Sequence, residues 1–266
     1  MTALSSTLTL PDLHRRVAVP SQLRLYALET FYEFLKTLRQ PHFIGGVVGV
    51  PVLFYLLFGL SLGRGASGPK ASEYLLATYA VFGTVSGALF AFGVGVATER
   101  ASGWMLLKQA APLPAPAHLA AKVLTAMLFG AVIVALLALL GTTAGGVRFP
   151  ISAWAGLLGS VMLGSIPFCL FGLALGYALP PAGAPAVVNL INLPLAFAGG
   201  LWLPHELLPK PLQAIAVFVP QHHLGRLALG SVGMVPDAAA PHIAGLAIAA
   251  VVGFACAALA YRRAGR

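Results

Sequence analysis

From Phe149 to Pro204 the chain carries no Asp, Glu, Lys or Arg. A soluble domain has about a quarter of its residues charged, so an uncharged run of that length cannot cover a water-facing surface. It is also longer than one helix needs to cross a hydrocarbon core of about 30 Å. The rest of the chain agrees: of 266 residues, 59% are hydrophobic and 9% are charged. Disorder is excluded by the same numbers, because disordered segments are poor in apolar residues. The net charge of +9 would suggest nucleic acid in a soluble protein. Here the basic residues sit between apolar stretches, where they orient a membrane protein, and no nucleic-acid partner is expected.

The hydrophobic pattern predicts an all-α integral membrane protein with six transmembrane helices. Residues 43–63 are uncharged and end at Arg64, and residues 74–98 are closed by Glu99-Arg100. A third span over 123–144 follows Lys122. The long uncharged run is broken at Pro180-Pro181-Ala182-Gly183-Ala184-Pro185, since proline lacks the amide donor and clashes with the preceding turn. That gives a fourth span over 152–178 and a fifth over 186–203. The sixth, 242–261, ends at Arg262-Arg263.

With both termini cytoplasmic, the inside segments hold Arg15, Arg16, Arg24, Lys36, Arg39, Arg100, Lys108, Lys122, Arg262, Arg263 and Arg266. Arg64, Lys70, Arg148, Lys210 and Arg226 then lie outside. Eleven basic residues against five favours that orientation. Residues 1–20 are expected to be a flexible cytoplasmic N-terminus, and 21–266 a single transmembrane domain. Residues 1–42 lack an apolar core long enough for a signal peptide, so the first span is expected to direct insertion.

Two segments fit neither spans nor plain loops. Over 21–39, Leu23, Ala27, Phe31, Phe34, Leu35 and Leu38 recur at helical spacing, with Arg24, Glu29, Glu33 and Lys36 elsewhere. This reads as an amphipathic helix in the membrane interface, or as an ordinary soluble helix before the first span. Between the fifth and sixth spans, Leu212 to Val219 is apolar but too short to cross, and Pro204, Pro209, Pro211 and Pro220 punctuate it. Short re-entrant or extracellular half-helices are expected there.

The chemistry that is missing narrows the function. No charged residue lies well inside a predicted span, which disfavours a proton- or sodium-coupled pump. No lysine follows a glycine, so a phosphate-binding GxxxxGK[ST] loop is absent and no cofactor is expected on this chain. Gly83-Thr84-Val85-Ser86-Gly87 superficially resembles the serine motif of rhomboid proteases. Its spacing is one residue too long, however, and no histidine lies inside a later span. His205, Glu206, His222 and His223 admit an outer zinc site or, more commonly for such residues, helix-cap and interface roles. Cys169 and Cys256 both fall in apolar stretches and read as inert packing residues. Asn189 and Asn192 on the fifth span need partners in lipid and are candidates for a helix contact or a substrate path.

Three segments resemble one family. Glu99-Arg100-Ala101-Ser102-Gly103-Trp104-Met105-Leu106-Leu107, then Ala111-Pro112-Leu113 and Lys122, resembles the segment after the second span of ABC type-2 permeases. Phe34 to Pro41, with Lys36 and Arg39, is similar to that family's basic stretch before its first span. Asn192-Leu193-Pro194-Leu195 through Gly199, Leu203-Pro204, Leu208-Pro209 and Pro220 is similar to its fifth-span and outer-loop pattern. The resemblance implies the permease subunit of an ATP-driven exporter in the cytoplasmic (inner) membrane. It would pair with a second permease copy, as a homodimer, and with cytoplasmic ATP-binding cassette ATPase subunits that hold ATP and Mg. By carry-over, Glu99, Arg100, Gly103, Trp104, Leu107 and Lys108 form or flank the ATPase-coupling segment. The chain departs from the family pattern in lacking a second Glu-Arg and in its Pro112/Pro114/Pro116 run. The uncharged interior favours a hydrophobic or amphipathic substrate such as a drug, a lipid-like molecule or a peptide. Polysaccharide export, a non-transporting scaffold or assembly subunit, and an intramembrane enzyme are the alternatives.

Overall fold

The computed structural model describes residues 22–63, 68–103 and 115–264, and among them every regular element is helical. The N-terminal stretch 1–20 and the residues Trp104, Leu107 and Lys108 lie outside the described residues.

Helix α1, Gln22–Leu38, has no Gly or Pro to interrupt it. It stops because Gln40 precedes Pro41 and is extended, at φ −96° and ψ 100°, as a residue before proline prefers to be. Its orientation is inverted relative to a helix on a soluble domain. Thr30, Glu33 and Thr37 are buried on the side that packs on the helix Ala115–Thr143, whereas Leu23, Phe31, Tyr32 and Leu38 are exposed. An apolar face turned away from the protein is what a membrane interface would cover.

Helix α2 runs over 41–63 and contains two wider π segments, Ile44–Gly49 and Tyr55–Gly59. Tyr55 is wholly buried, and its hydroxyl shares a 2.6 Å hydrogen bond with Ser72 Oγ on the next helix. That next helix, α3, spans 68–101 with a π segment at Phe90–Val94. It is the axis of the molecule. In its apolar window 78% of residues are buried, against 22% for the last helix.

Helix α4, Ala115–Thr143, lies along α3 and α1. Helices α5, Ile151–Gly164, and α6, Ile166–Ala178, follow each other across Ser165 as one long apolar rod. Gly172 and Gly176 let α6 touch the π segment of α3. A Cβ at Gly176 would come within 2.5 Å of the Phe92 carbonyl oxygen, so this pair acts as a small-xxx-small contact.

Helix α7 is Ala184–Ala198. The expected fifth span, 186–203, is therefore corrected at its C-terminal end. Gly199 and Gly200 stop the helix, Gly200 at φ +80°, and Leu201–Leu203 turn back. Tyr74 on α3 donates to the Gly200 carbonyl at 2.6 Å and fixes that reversal. After a 3₁₀ turn, His205–Leu207, come two short helices as expected, α8, Lys210–Ala216, and α9, Pro220–Ser231. Proline occupies an early position in each, where a missing amide costs nothing. Helix α10, Ala239–Ala264, packs mainly on α6 and closes the fold.

Among the described residues, four helices are long and apolar enough to cross a membrane: Lys70–Ala101, Ala117–Thr143, Ile151–Ala178 and Ala239–Ala264. The apolar helices Ile44–Gly59 and Ala184–Ala198 are shorter. They correspond to the expected first and fifth spans.

Candidate functional site

Three helices bring ions together where α3 ends. Lys122 of α4 is 2% exposed and lies 2.5 Å from Glu33 Oε1 of α1 and 2.9 Å from Glu99 Oε1 of α3. Lys36 Nζ sits 2.5 Å from the same Glu99 oxygen and 3.3 Å from Glu33 Oε2. His118, one turn before Lys122, places Nε2 3.2 Å from Glu99 Oε2 and Nδ1 3.3 Å from Glu29 Oε1. Two buried carboxylates thus face two ammonium groups, which is the condition for keeping such charges out of water.

Burial alone would raise the Glu33 carboxyl, but Lys122 and Lys36 beside it hold it below its ordinary range. Burial alone would lower the Lys36 ammonium, but Glu33 and Glu99 hold it above its ordinary range. Both groups stay ionised at neutral pH, and the set acts as a clamp between α1, α3 and α4.

The next residue points the other way. Arg100 donates through one terminal nitrogen to the carbonyls of Gly176 (2.9 Å) and Tyr177 (2.6 Å), and its guanidinium lies 5.5 Å from the Tyr177 ring centre. These carbonyls lie in the last turn of α6, so Arg100 caps that helix where a cation is favoured. Glu99 and Arg100 together fasten the end of α3 to two sides of the molecule. Gly103, at φ +69°, then turns the chain out of the helix.

Beside the clamp is a cavity of about 660 Å³. Its lining combines Glu33, Lys36, Glu99 and Lys122 with apolar residues that include Phe43, Phe90 and Val94. It is wide enough for a small molecule and amphipathic in its lining.

The two asparagines are placed differently. Asn192 is buried, donates to Ser86 Oγ at 2.9 Å and faces Gln221 Nε2 at 3.4 Å, so it bridges α7, α3 and α9. Asn189 is on the exposed face of α7. Ser86 is also bonded to the Phe82 carbonyl, within its own helix. His205, His222 and His223 do come close together. No group of three or more His, Cys, Asp or Glu is arranged to hold a metal among the described residues. Cys169 is buried and Cys256 exposed, both as free thiols.

The buried clamp was not foreseen from the sequence. Glu33 read as part of a wet face and Lys122 as the flank of a span. The available signal was the i, i+3 pair Glu33/Lys36 on a helix otherwise rich in exposed apolar residues.

A family model described as "ABC-2 family transporter protein" matches residues 64–259. The chain is also 24% identical, over 200 residues, to the Bacillus subtilis (strain 168) protein named "Putative transport permease YvfS". That alignment covers 74% of this chain and 81% of the relative.

Proposed function

Because the chain belongs to the ABC-2 family of transporter membrane proteins, as the match over residues 64–259 establishes, we propose that it is the permease half of an ATP-driven exporter. Two copies work with two ATPase subunits in the cytoplasmic membrane, and ATP and Mg bind on those subunits. Residues 21–266 form one transmembrane domain. Its six spans are α2, α3, α4, the α5–α6 rod, α7 and α10, with both termini and the ion clamp on the cytoplasmic side.

The observation that carries the mechanism is the double fastening at Glu99 and Arg100. The segment that follows, through Trp104, Leu107 and Lys108, is the handle for the ATPase. Force applied to it would reach α1 and α4 through Glu99 and α6 through Arg100. A buried aromatic or arginine anchor commonly carries at least about 2 kcal/mol of an interface, which suits Trp104 for the contact. The amphipathic cavity beside the clamp supports a cargo with one polar and one apolar end, drawn from the inner leaflet.

Co-purification of the partner ATPase, with ATP turnover in liposomes, tests this. Trp104→Ala should lose the ATPase, whereas Glu99→Gln should keep it but uncouple ATP turnover from substrate. Normal association and normal substrate-stimulated turnover in both variants would remove the segment as the coupling element. Cysteine labelling checks sidedness: position 70 should react from outside, and position 108 only after permeabilisation.

A further inference from the structure

Far from the ion clamp, four imidazoles meet from three segments. His205 lies in the 3₁₀ turn, His222 and His223 open α9, and His242 lies in the first turn of α10. Ring centres are 4.9 Å apart for His205 and His222, 5.4 Å for His223 and His242, and 6.1 Å for His222 and His242. The His223 ring also fills a notch in α10, where a Cβ on Gly245 would collide with it.

Hydrogen-bond directions restrict where protons can sit. His223 Nε2 is 2.9 Å from the Val217 carbonyl, which can only accept, so Nε2 carries the hydrogen. Its Nδ1 lies 3.1 Å from His242 Nδ1, and in a neutral His223 ring that nitrogen must accept from His242. A second proton on His223 is tolerated only if His242 moves its own hydrogen from Nδ1 to Nε2, toward Asp237 Oδ2 at 3.4 Å, so the two rings then share one positive charge. His222 is buried, and its Nδ1 has no partner; neither does Nδ1 of His205.

The fixed charges around the rings are Arg226, Asp237 and Glu206. Arg226 pairs with Asp237 and, at 3.3 Å, with Glu206, and Asp237 is 3.4 Å from His242 Nε2. The α3 group facing this region is the Tyr74 hydroxyl, bonded to Gly200. A proton on His222 or His223 therefore adds a cation among imidazoles and Arg226, with the nearby carboxylates already engaged. Burial, with His205, His223 and Arg226 nearby, pushes His222 down to about 4. Burial, and then His242, pushes His223 down as well, against the Val217 bond.

We propose that the four histidines form an acid-sensitive latch. Their uncharged packing holds the 3₁₀ turn, α9 and the start of α10 together. Proton uptake by His222 and His223 separates α9 from α10. On the topology proposed above, this latch faces the outer compartment and responds to its acidity.

Hydrogen exchange on the full chain in detergent tests the latch without relying on that topology, because both faces then meet the same pH. Protection of amides in 217–231 and 239–246, taken relative to an unstructured reference at each pH, should fall at least about tenfold between pH 7 and pH 5. Protection in α3 and α4 should hold. His222→Gln with His223→Gln, which keeps side-chain donors but cannot take the charge, should flatten the response. Unchanged wild-type protection in 217–231 over that range would overturn the latch whatever the variants do. So would an equal fall in the double variant, provided α3 and α4 remain as protected as in wild type. In liposomes, a response to internal but not external acid would support the latch and overturn the proposed sidedness.

Discussion

The two ends of α3 solve the problem of polar groups beside a membrane in opposite ways. At residue 99 acidic and basic groups are paired, each held by at least one partner among Glu33, Lys36, Glu99 and Lys122. About 38 Å away by helix rise, at the Tyr74 end, the groups are mostly alike and mostly uncharged. They are histidines that pack on one another in tilted and edge-to-face pairs and leave two ring nitrogens unpartnered. The first arrangement is costly to damage by substitution but indifferent to ordinary pH. The second tolerates neutral replacement but is sensitive to a proton. On the coupling proposed above, force would enter at the first end and rearrangement would occur at the second.

The largest break in this comparison comes from the clamp. Lys122→Met leaves Glu33 and Glu99, each 94% or more hidden from solvent, to share Lys36, and removing one partner of a buried ion set costs about 3–5 kcal/mol. Thermal unfolding in detergent should show that loss, and adding Glu33→Gln should restore roughly half of it. The matching change at the other end, His222→Gln at pH 7.5, should stay within about 1 kcal/mol. Equal losses from the two single variants would end the contrast.

Acid should sort the ends next. His222 binds its proton near pH 4 when folded against 6.5 in its ordinary state. Its contribution is therefore complete above 6.5 and is lost as pH falls toward 4, by about 2 kcal/mol. Glu33, depressed below 4.5, keeps its contribution down to that value and loses it only in stronger acid. Lys36, raised above 10.5, keeps its contribution until strongly basic pH. Stability measured from pH 7.5 to 3.5 should thus fall in two stages; the first should shrink in His222→Gln and vanish when His223→Gln is added. A single stage below pH 4.5 in wild type would mean that the histidine end carries no proton-linked stability.

Arg100→Gln should have a smaller effect. It removes the cation from the end of α6 but leaves an amide able to reach one of the two carbonyls, for a loss of about 1–2 kcal/mol. Uncoupling of ATP turnover in this variant without loss of the ATPase would sharpen the view that Arg100 transmits rather than binds. Loss of association instead would place it in the interface.

The legible and illegible parts of the chain divide along physical lines. Apolar runs, proline breaks and the short helices after α7 could be read directly, because each rests on local composition. The end of α7 could not, since Leu201, Trp202 and Leu203 look like more span, and only the positive φ of Gly200 reveals the reversal. Amphipathicity located α1, but not the face it buries. That depends on Lys122, 89 positions beyond Glu33, and on Glu99, 66 positions beyond it. Within the candidate site, Glu99 and Arg100 were found by motif. Their opposite directions, and the part played by Glu33 and Lys122, exist only in three dimensions. His242 was missed for a similar reason: it reads as the beginning of a span.

The smallest expected effect concerns Asn192, which lies between the two ends and touches helices that reach both. Its amide donates to Ser86 on α3, and its carbonyl oxygen is the acceptor facing Gln221 on α9. Interhelical hydrogen bonds of this kind in membranes are worth about 0.6 kcal/mol and rarely more than 1.7. In Asn192→Leu, Ser86 keeps its bond to the Phe82 carbonyl, while Gln221 Nε2 loses its acceptor. The net loss of stability should be about 1 kcal/mol, read from thermal unfolding. If Asn192 only joins helices, transport of different substrates should fall by one common factor. If it borders the cargo's route, substrates should separate, those with a hydrogen-bonding group losing more than purely apolar ones. Asn189→Leu, on the exposed face of α7, is the control that decides between the two, because it leaves the Ser86–Asn192–Gln221 chain intact. A substrate-selective loss there, with unchanged melting, would assign the route to the outer face of α7 and leave Asn192 as the strut behind it.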